Sequence, residues 1–140
     1  MKKLFCILLS VLFIIAVMAP DLCLAVGEES SESPENPMRY SLTSSISAGL
    51  SISGGKAHAT GLLCAKYANA GCSIVVKLQK RDSSGVWHTV KTWSNSGTLS
   101  TSAGGDYSVS SGSYRTCVLG TVTYNGQSEY PVKYSGTKTC

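Results

Sequence analysis

Carboxylates are scarce where a catalytic centre would need them. From Arg39 onward the chain carries only Asp82, Asp106 and Glu129, and a working acid–base pair needs two acids in contrasting surroundings. Asp82 and Asp106 also stand in turn signals, where aspartate commonly bonds its own backbone. Histidine is limited to His58 and His88, each isolated on an expected strand. No GxSxG elbow, HExxH, P-loop, EF-hand or CxxC pattern occurs. The chain is therefore expected not to be an enzyme, to take no cofactor and to bind no metal. A hydrolase whose dispersed triad leaves no local motif is the weakest alternative, and it would require a serine within reach of His58 or His88 in a pocket.

Helical periodicity is missing as well. After the first 25 residues no segment holds a 3.6-residue apolar repeat, and β-branched, aromatic, Ser and Gly residues dominate. The one long apolar run, Leu4 to Ala19, follows Lys2 and Lys3, is broken by Pro20 and Asp21, and leads to small residues near Cys23-Leu24-Ala25. That layout is a secretory signal peptide over 1–25. A retained anchor would want roughly 20 apolar residues, more than this run offers. A lipid-modified Cys23 would want small residues where Asp21 and Leu22 stand. The mature protein is expected to be secreted, extracellular or associated with a cell envelope, with no integral span after cleavage.

Residues 26–38 hold four acids, Glu28, Glu29, Glu32 and Glu35, no base, and little apolar area to offset ordering entropy; they are expected to be a disordered linker. From Arg39 the sign reverses, with ten Lys or Arg against three acids, or +7, compared with +4 for the whole chain. The remaining 39–140 suffices for one domain. A basic exported domain suits anionic cell-wall polymers, phospholipid surfaces, acidic glycans or protein partners. The bland alternative is that lysines on strand faces keep the edges of a β protein soluble. Because the bases are spread along an exported chain, nucleic acid is not expected as a partner.

Period-two rows mark the strands. Ile46, Ala48, Leu50 and Ile52 alternate with Ser47, Gly49, Ser51 and Ser53, and Cys72, Ile74, Val76 and Leu78 alternate with Ser73, Val75, Lys77 and Gln79. Gly54-Gly55, Asp82 to Gly85 and above all Asn125-Gly126 are hairpin signals. Pro131 lacks a ladder donor, which assigns the last strand to an edge or a bulge. Seven to eight short strands at this spacing predict an all-β fold, an antiparallel immunoglobulin-like two-sheet sandwich. Gly112-Ser113-Tyr114 resembles a tyrosine corner, although Cys117 follows the tyrosine by three residues rather than two.

Four cysteines lie beyond the leader, Cys64, Cys72, Cys117 and Cys140. In an oxidising compartment they imply two disulfides. Strand order favours Cys64 with Cys72 and Cys117 with Cys140, and Cys64 with Cys117 is the alternative. Zinc is the rival use, against which stand the missing CxxC and the two histidines.

Aromatics supply the candidate binding residues, Trp87, Trp93, Tyr107 and Tyr124, since aromatic faces stack on sugar rings and anchor protein partners. Trp87 and Trp93 share parity and would stand about 20 Å apart on a regular strand. A bulge near Thr89 or Val90 would break that parity. The competing reading has Trp87 covering the hairpin and Trp93 capping the core.

The run Ser44 to Gly55, the hairpin from Leu78 through Gly85, Trp87 with Trp93, and Ser111 to Arg115 resemble small exported β-sandwich proteins of Gram-positive gut bacteria. The resemblance spans about Tyr40 to the C-terminus and implies fold and export, with no activity attached. The leading expectation is a non-catalytic binding or structural module at or near the bacterial cell envelope or a glycan surface. A secreted effector, such as a bacteriocin-like antagonist or its partner, is the second.

Overall fold

The computed structural model describes residues 40–140. The expected leader, the acidic linker and Arg39 lie outside the described residues. Nine strands follow in order: β1 Thr43–Ser53, β2 Lys56–Ala65, β3 Gly71–Arg81, β4 Trp87–Thr98, β5 Ser100–Ser108, β6 Ser113–Tyr124, β7 Gln127–Glu129, β8 Val132–Tyr134 and β9 Lys138–Thr139. They form two antiparallel sheets, β1-β2-β5 and β4-β3-β6-β7, with β8 and β9 continuing the edge beside β6.

The count departs from seven or eight for local reasons. β5 runs unbroken through Gly104 and Gly105, whereas the returning strand after Asn125-Gly126 is split into β7, β8 and β9. Pro131 interrupts the edge between β7 and β8. It has no N–H to donate, but its carbonyl accepts from Gly120 N at 2.8 Å, so the edge keeps register across the break.

Turn chemistry agrees with the sequence. Gly54 and Gly55 have φ of 56° and 71°, and Asn125 and Gly126 have 49° and 75°. Two successive positive-φ residues make the type I′ geometry whose twist matches paired strands. The chain passes from the larger sheet to the smaller at Leu99, a lone non-glycine at φ 67°. Its N–H donates to Ala70 O and its carbonyl accepts from Ala65 N, so this single residue ties β4 and β5 to the β2–β3 connection.

Between the sheets lies the core. Leu63, Ile74, Val76, Val118 and Val122 are fully buried in one cluster, and Ile52, Ala57, Leu78 and Tyr114 form a second. Gly61 on β2 sets how closely the sheets approach, because a Cβ there would lie 2.6 Å from Val76 Cγ2 and 2.9 Å from Val118 Cγ2. Tyr114, the second residue of β6, is buried, and its hydroxyl donates to Ser110 O at 2.8 Å.

Candidate binding face on the larger sheet

Because Cys72, Ile74, Val76 and Leu78 on β3 point into the core, Ser73, Val75, Lys77, Gln79 and Arg81 point outward. The same alternation on β6 sends Arg115, Cys117, Leu119, Thr121 and Thr123 to that outer face. Register then sets the neighbours. Arg81 stands opposite Trp87, Gln79 opposite both Thr89 and Arg115, and Cys117 opposite both Lys77 and Tyr134.

Arg115 is the centre of this face. Its guanidinium carbon lies 4.4 Å from the Trp87 ring centroid and 4.4 Å from the Tyr134 centroid, and its Nε donates to Gln79 Oε1 at 2.8 Å. Three strands thus hold one cation flat between two rings. Each such contact is worth about 0.5–1 kcal/mol when exposed and more when desolvated. The Gln79 bond fixes the plane, so the terminal nitrogens keep a planar donor edge suited to carboxylate or phosphate oxygens.

All the carboxylates of residues 40–140 are engaged elsewhere. Glu129 accepts from Ser41 N (2.7 Å), Leu42 N (3.2 Å), Thr43 N (2.7 Å) and Thr43 Oγ1 (2.6 Å), clamping the start of β1 to β7. Burial pushes its pKa up, but bonds from the Thr43 side chain and the backbone of Ser41, Thr43 and Leu42 outweigh it and hold the group below the ordinary value. Asp82 organises the β3–β4 turn, accepting from Ser84 N at 2.8 Å and Val86 N at 2.9 Å, with His88 Nε2 2.6 Å away. The His88 bond, then Val86, holds the Asp82 carboxyl below its usual range. Asp106 lies within β5, not in a turn as its flanking glycines suggest, and pairs with His58 Nδ1 at 2.5 Å. Both histidines are more than half exposed, and each meets an aspartate.

At the far end of the same face is a shallow groove of about 460 Å³, floored by Gly71 and Gly97 and lined by hydroxyls of Ser73, Ser96, Thr98, Thr121 and Thr123. Between groove and cation run Val75, Leu119 and Val132 in cross-strand register.

The four aromatic candidates do not converge. Trp87 and Trp93 sit on opposite faces because β4 carries a bulge: Leu78 pairs with Lys91 and Gln79 with Thr89, leaving Val90 without a partner. Trp93 turns inward onto both core clusters, with its ring against Gly105 of β5, as a core cap. Tyr107 lies on the smaller sheet opposite Ala57, 38% exposed. Tyr124 stacks on Tyr67, with centroids 4.2 Å apart and planes within 6°. Only Trp87 belongs to the cationic cluster, and the decisive partners Arg115, Gln79 and Tyr134 are not among the candidates read from the sequence. A lone Arg between Tyr114 and Thr116 carries no signal until register sets Trp87 and Tyr134 on either side.

The expected disulfides are not formed among the described residues, where Cys64, Cys72 and Cys117 are free thiols. Cys64 and Cys72 do lie at one end of the sandwich, but Cys64 alternates outward between buried Leu63 and Ala65 while Cys72 enters the core. Burial, then the neighbouring Cys64, pushes the Cys72 thiol pKa up. For Cys117, the residue brought opposite is Tyr134. The chain then runs on to the start of β6, where Cys140 N donates to Gly112 O at 2.9 Å. Cys64 and Cys117 occupy outer faces of opposite sheets, which separates the alternative pair too.

Comparison with family models, curated proteins and solved structures finds no match.

Proposed function

We propose that the protein is an exported, non-catalytic binding module of the cell envelope that takes an anionic glycan or cell-wall polymer on the outer face of its larger sheet. The carrying observation is the Arg115 guanidinium held between Trp87 and Tyr134. Lys77 and Arg81 flank it, and each acid of residues 40–140 is committed away from that face. Such a surface stacks on a sugar ring and pairs with its charge at once. The flat, hydroxyl-rich remainder suits an extended chain rather than a small molecule in a pocket.

We also infer immunoglobulin-like connectivity. The orders β1-β2-β5 and β4-β3-β6-β7 and the Tyr114–Ser110 bond support it. In that arrangement the exposed four-strand face is a broad platform with both ends open.

Retention on immobilised anionic cell-wall polymer, acidic glycan and neutral glycan at low and moderate salt tests the reading. Arg115→Ala and Trp87→Ala should each weaken binding to the acidic ligands about tenfold, the effect of losing about 1.4 kcal/mol. Wild-type binding should fall as salt rises. Equal retention of wild type and Arg115→Ala, or no retention on any surface, defeats it.

A further inference from the structure

Charge on the outer face of the larger sheet is confined to one half of it. The cations stand in neighbouring cross-strand rows, that of Arg81, that of Gln79 with Arg115 and that of Lys77 with Cys117. The next rows, of Val75, Ser73 and Gly71, have only serine, threonine, valine and leucine as partners on β4, β6 and β8. We propose that this division selects the spacing of charge along the ligand. The face takes a polysaccharide in which an acidic sugar is followed by several neutral ones, with the acid at Arg115 and the neutral sugars running along the strands into the groove at Gly71. This specificity rests on reading the face as a glycan site.

Distance separates the two halves electrostatically. Arg81 and Lys77 are four positions apart on β3, about 13 Å, and Gly71 is six positions beyond Lys77, about 20 Å. At physiological salt the screening length is about 8 Å, so an acidic group over Ser73 or Gly71 gains little from Lys77 or Arg115. It gives up water there and meets hydroxyls but no counter-charge. A chain with an acid on every sugar therefore carries charges that the far half leaves unpaired, which is discrimination by mismatch as much as by attraction.

The far half suits neutral sugars for reasons of its own. Val75, Leu119 and Val132 form one apolar row, on which the C–H face of a sugar ring can lie. Beyond that row the groove of about 460 Å³ opens, because Gly71 puts no side chain between Thr98 and Thr123. Thr123 Oγ1 is 3.1 Å from Ser128 Oγ, whereas the hydroxyls of Ser73, Ser96, Thr98 and Thr121 bond to no other described residue. Each is a donor and an acceptor at once, as a sugar hydroxyl is, and can pair with it in either sense.

Gly71 also gives the means of closing the groove. It does not have a positive φ, and a Cβ there would have Thr123 O, at 3.9 Å, as its nearest neighbour, an ordinary contact. Valine suits a strand, so Gly71→Val fills the groove from its floor. The change leaves the Arg115 cluster intact, since Arg115 stands eight positions along β6 from Thr123, the partner of Gly71, or about 27 Å.

The test uses the exported chain and polymers cut to equal length: gellan, whose repeat sets one acidic sugar among neutral ones, polygalacturonate, acidic at every sugar, and dextran, neutral throughout. At about 0.15 M salt gellan should bind about tenfold more tightly than polygalacturonate, and dextran should not be retained. Gellan fragments should shift the amide resonances of Ser73, Gly97 and Thr121 together with Arg115 Nε–H, whereas polygalacturonate should shift Arg115 alone. Arg115→Ala should weaken both acidic polymers, while Gly71→Val should weaken gellan about tenfold and so erase the preference. Equal or tighter binding of polygalacturonate, unmoved resonances at Ser73 and Thr121, or full gellan affinity in folded Gly71→Val would overturn the specificity. If Arg115→Ala still weakens binding in those cases, the glycan site itself stands. Retention of none of these polymers by the wild type brings down the proposed function and the specificity with it.

Discussion

A single carboxylate fastens the first strand to the rest of the molecule. Glu129 faces the backbone N–H groups of three successive residues, Ser41 to Thr43, and the Thr43 hydroxyl. Its folded pKa lies below the ordinary value, so the bound proton favours the unfolded chain. The stability from this group is full above the unfolded pKa and is lost as pH falls through the folded one. Denaturant titrations should accordingly show stability declining below about pH 4.5, and Glu129→Gln should flatten that part of the curve while costing about 1–3 kcal/mol at neutral pH. Thiol reactivity is also ordered by position. Cys64 is half-buried, while Cys72 and Cys117 are 3% and 4% exposed. Alkylation of the native protein followed by mass mapping should label Cys64 first and reach Cys72 and Cys117 only on unfolding.

At the scale of elements, one bulge decides which tryptophan faces outward and which meets the core. Deleting Val90 would restore strict alternation on β4 while leaving Trp87, then five positions from Trp93, on the outer face opposite Arg81. By removing Val90 from its packing against the second core cluster, the deletion should lower stability by about 1–3 kcal/mol in a melt or urea titration. It should preserve the Trp87–Arg115 contact, read from an unmoved Arg115 side-chain resonance. Most strands were legible because one face of each is buried, which forces the alternation that a reader sees in Ile46 to Ile52 or Cys72 to Leu78. The Gly-rich β5 was harder to recognise as one strand, since Gly104 and Gly105 read as a turn. They serve instead as flat backbone against which β2 and Trp93 pack, with a Cβ at Gly104 falling 2.1 Å from Ala59 O.

For the whole molecule, the spacing between sheets is the sensitive quantity. Gly61→Ala would push a methyl group into Val76 and Val118, and overpacking of this kind should cost about 1–3 kcal/mol in thermal or urea unfolding. Because the substitution acts through the core, affinity per folded molecule for an acidic polymer should stay unchanged. The outer face then remains a property of register, independent of core volume.

Hydrophobic alternation and turn residues alone determined that the chain is an all-β protein with edges at Pro131 and tight hairpins at Gly54-Gly55 and Asn125-Gly126, since both signals depend on backbone geometry within a few residues. Composition alone also determined the contrast between an acidic lead-in and a basic domain. Tertiary structure decided everything that depends on strands distant in sequence standing side by side. It placed Arg115 between Trp87 and Tyr134, separated Trp87 from Trp93, kept Cys117 away from Cys140 by bringing Tyr134 opposite it, and gave Glu129 to β1. Those outcomes turn on registers and one bulge, and a shift of a single residue exchanges the two faces of a strand without changing its pattern of alternation.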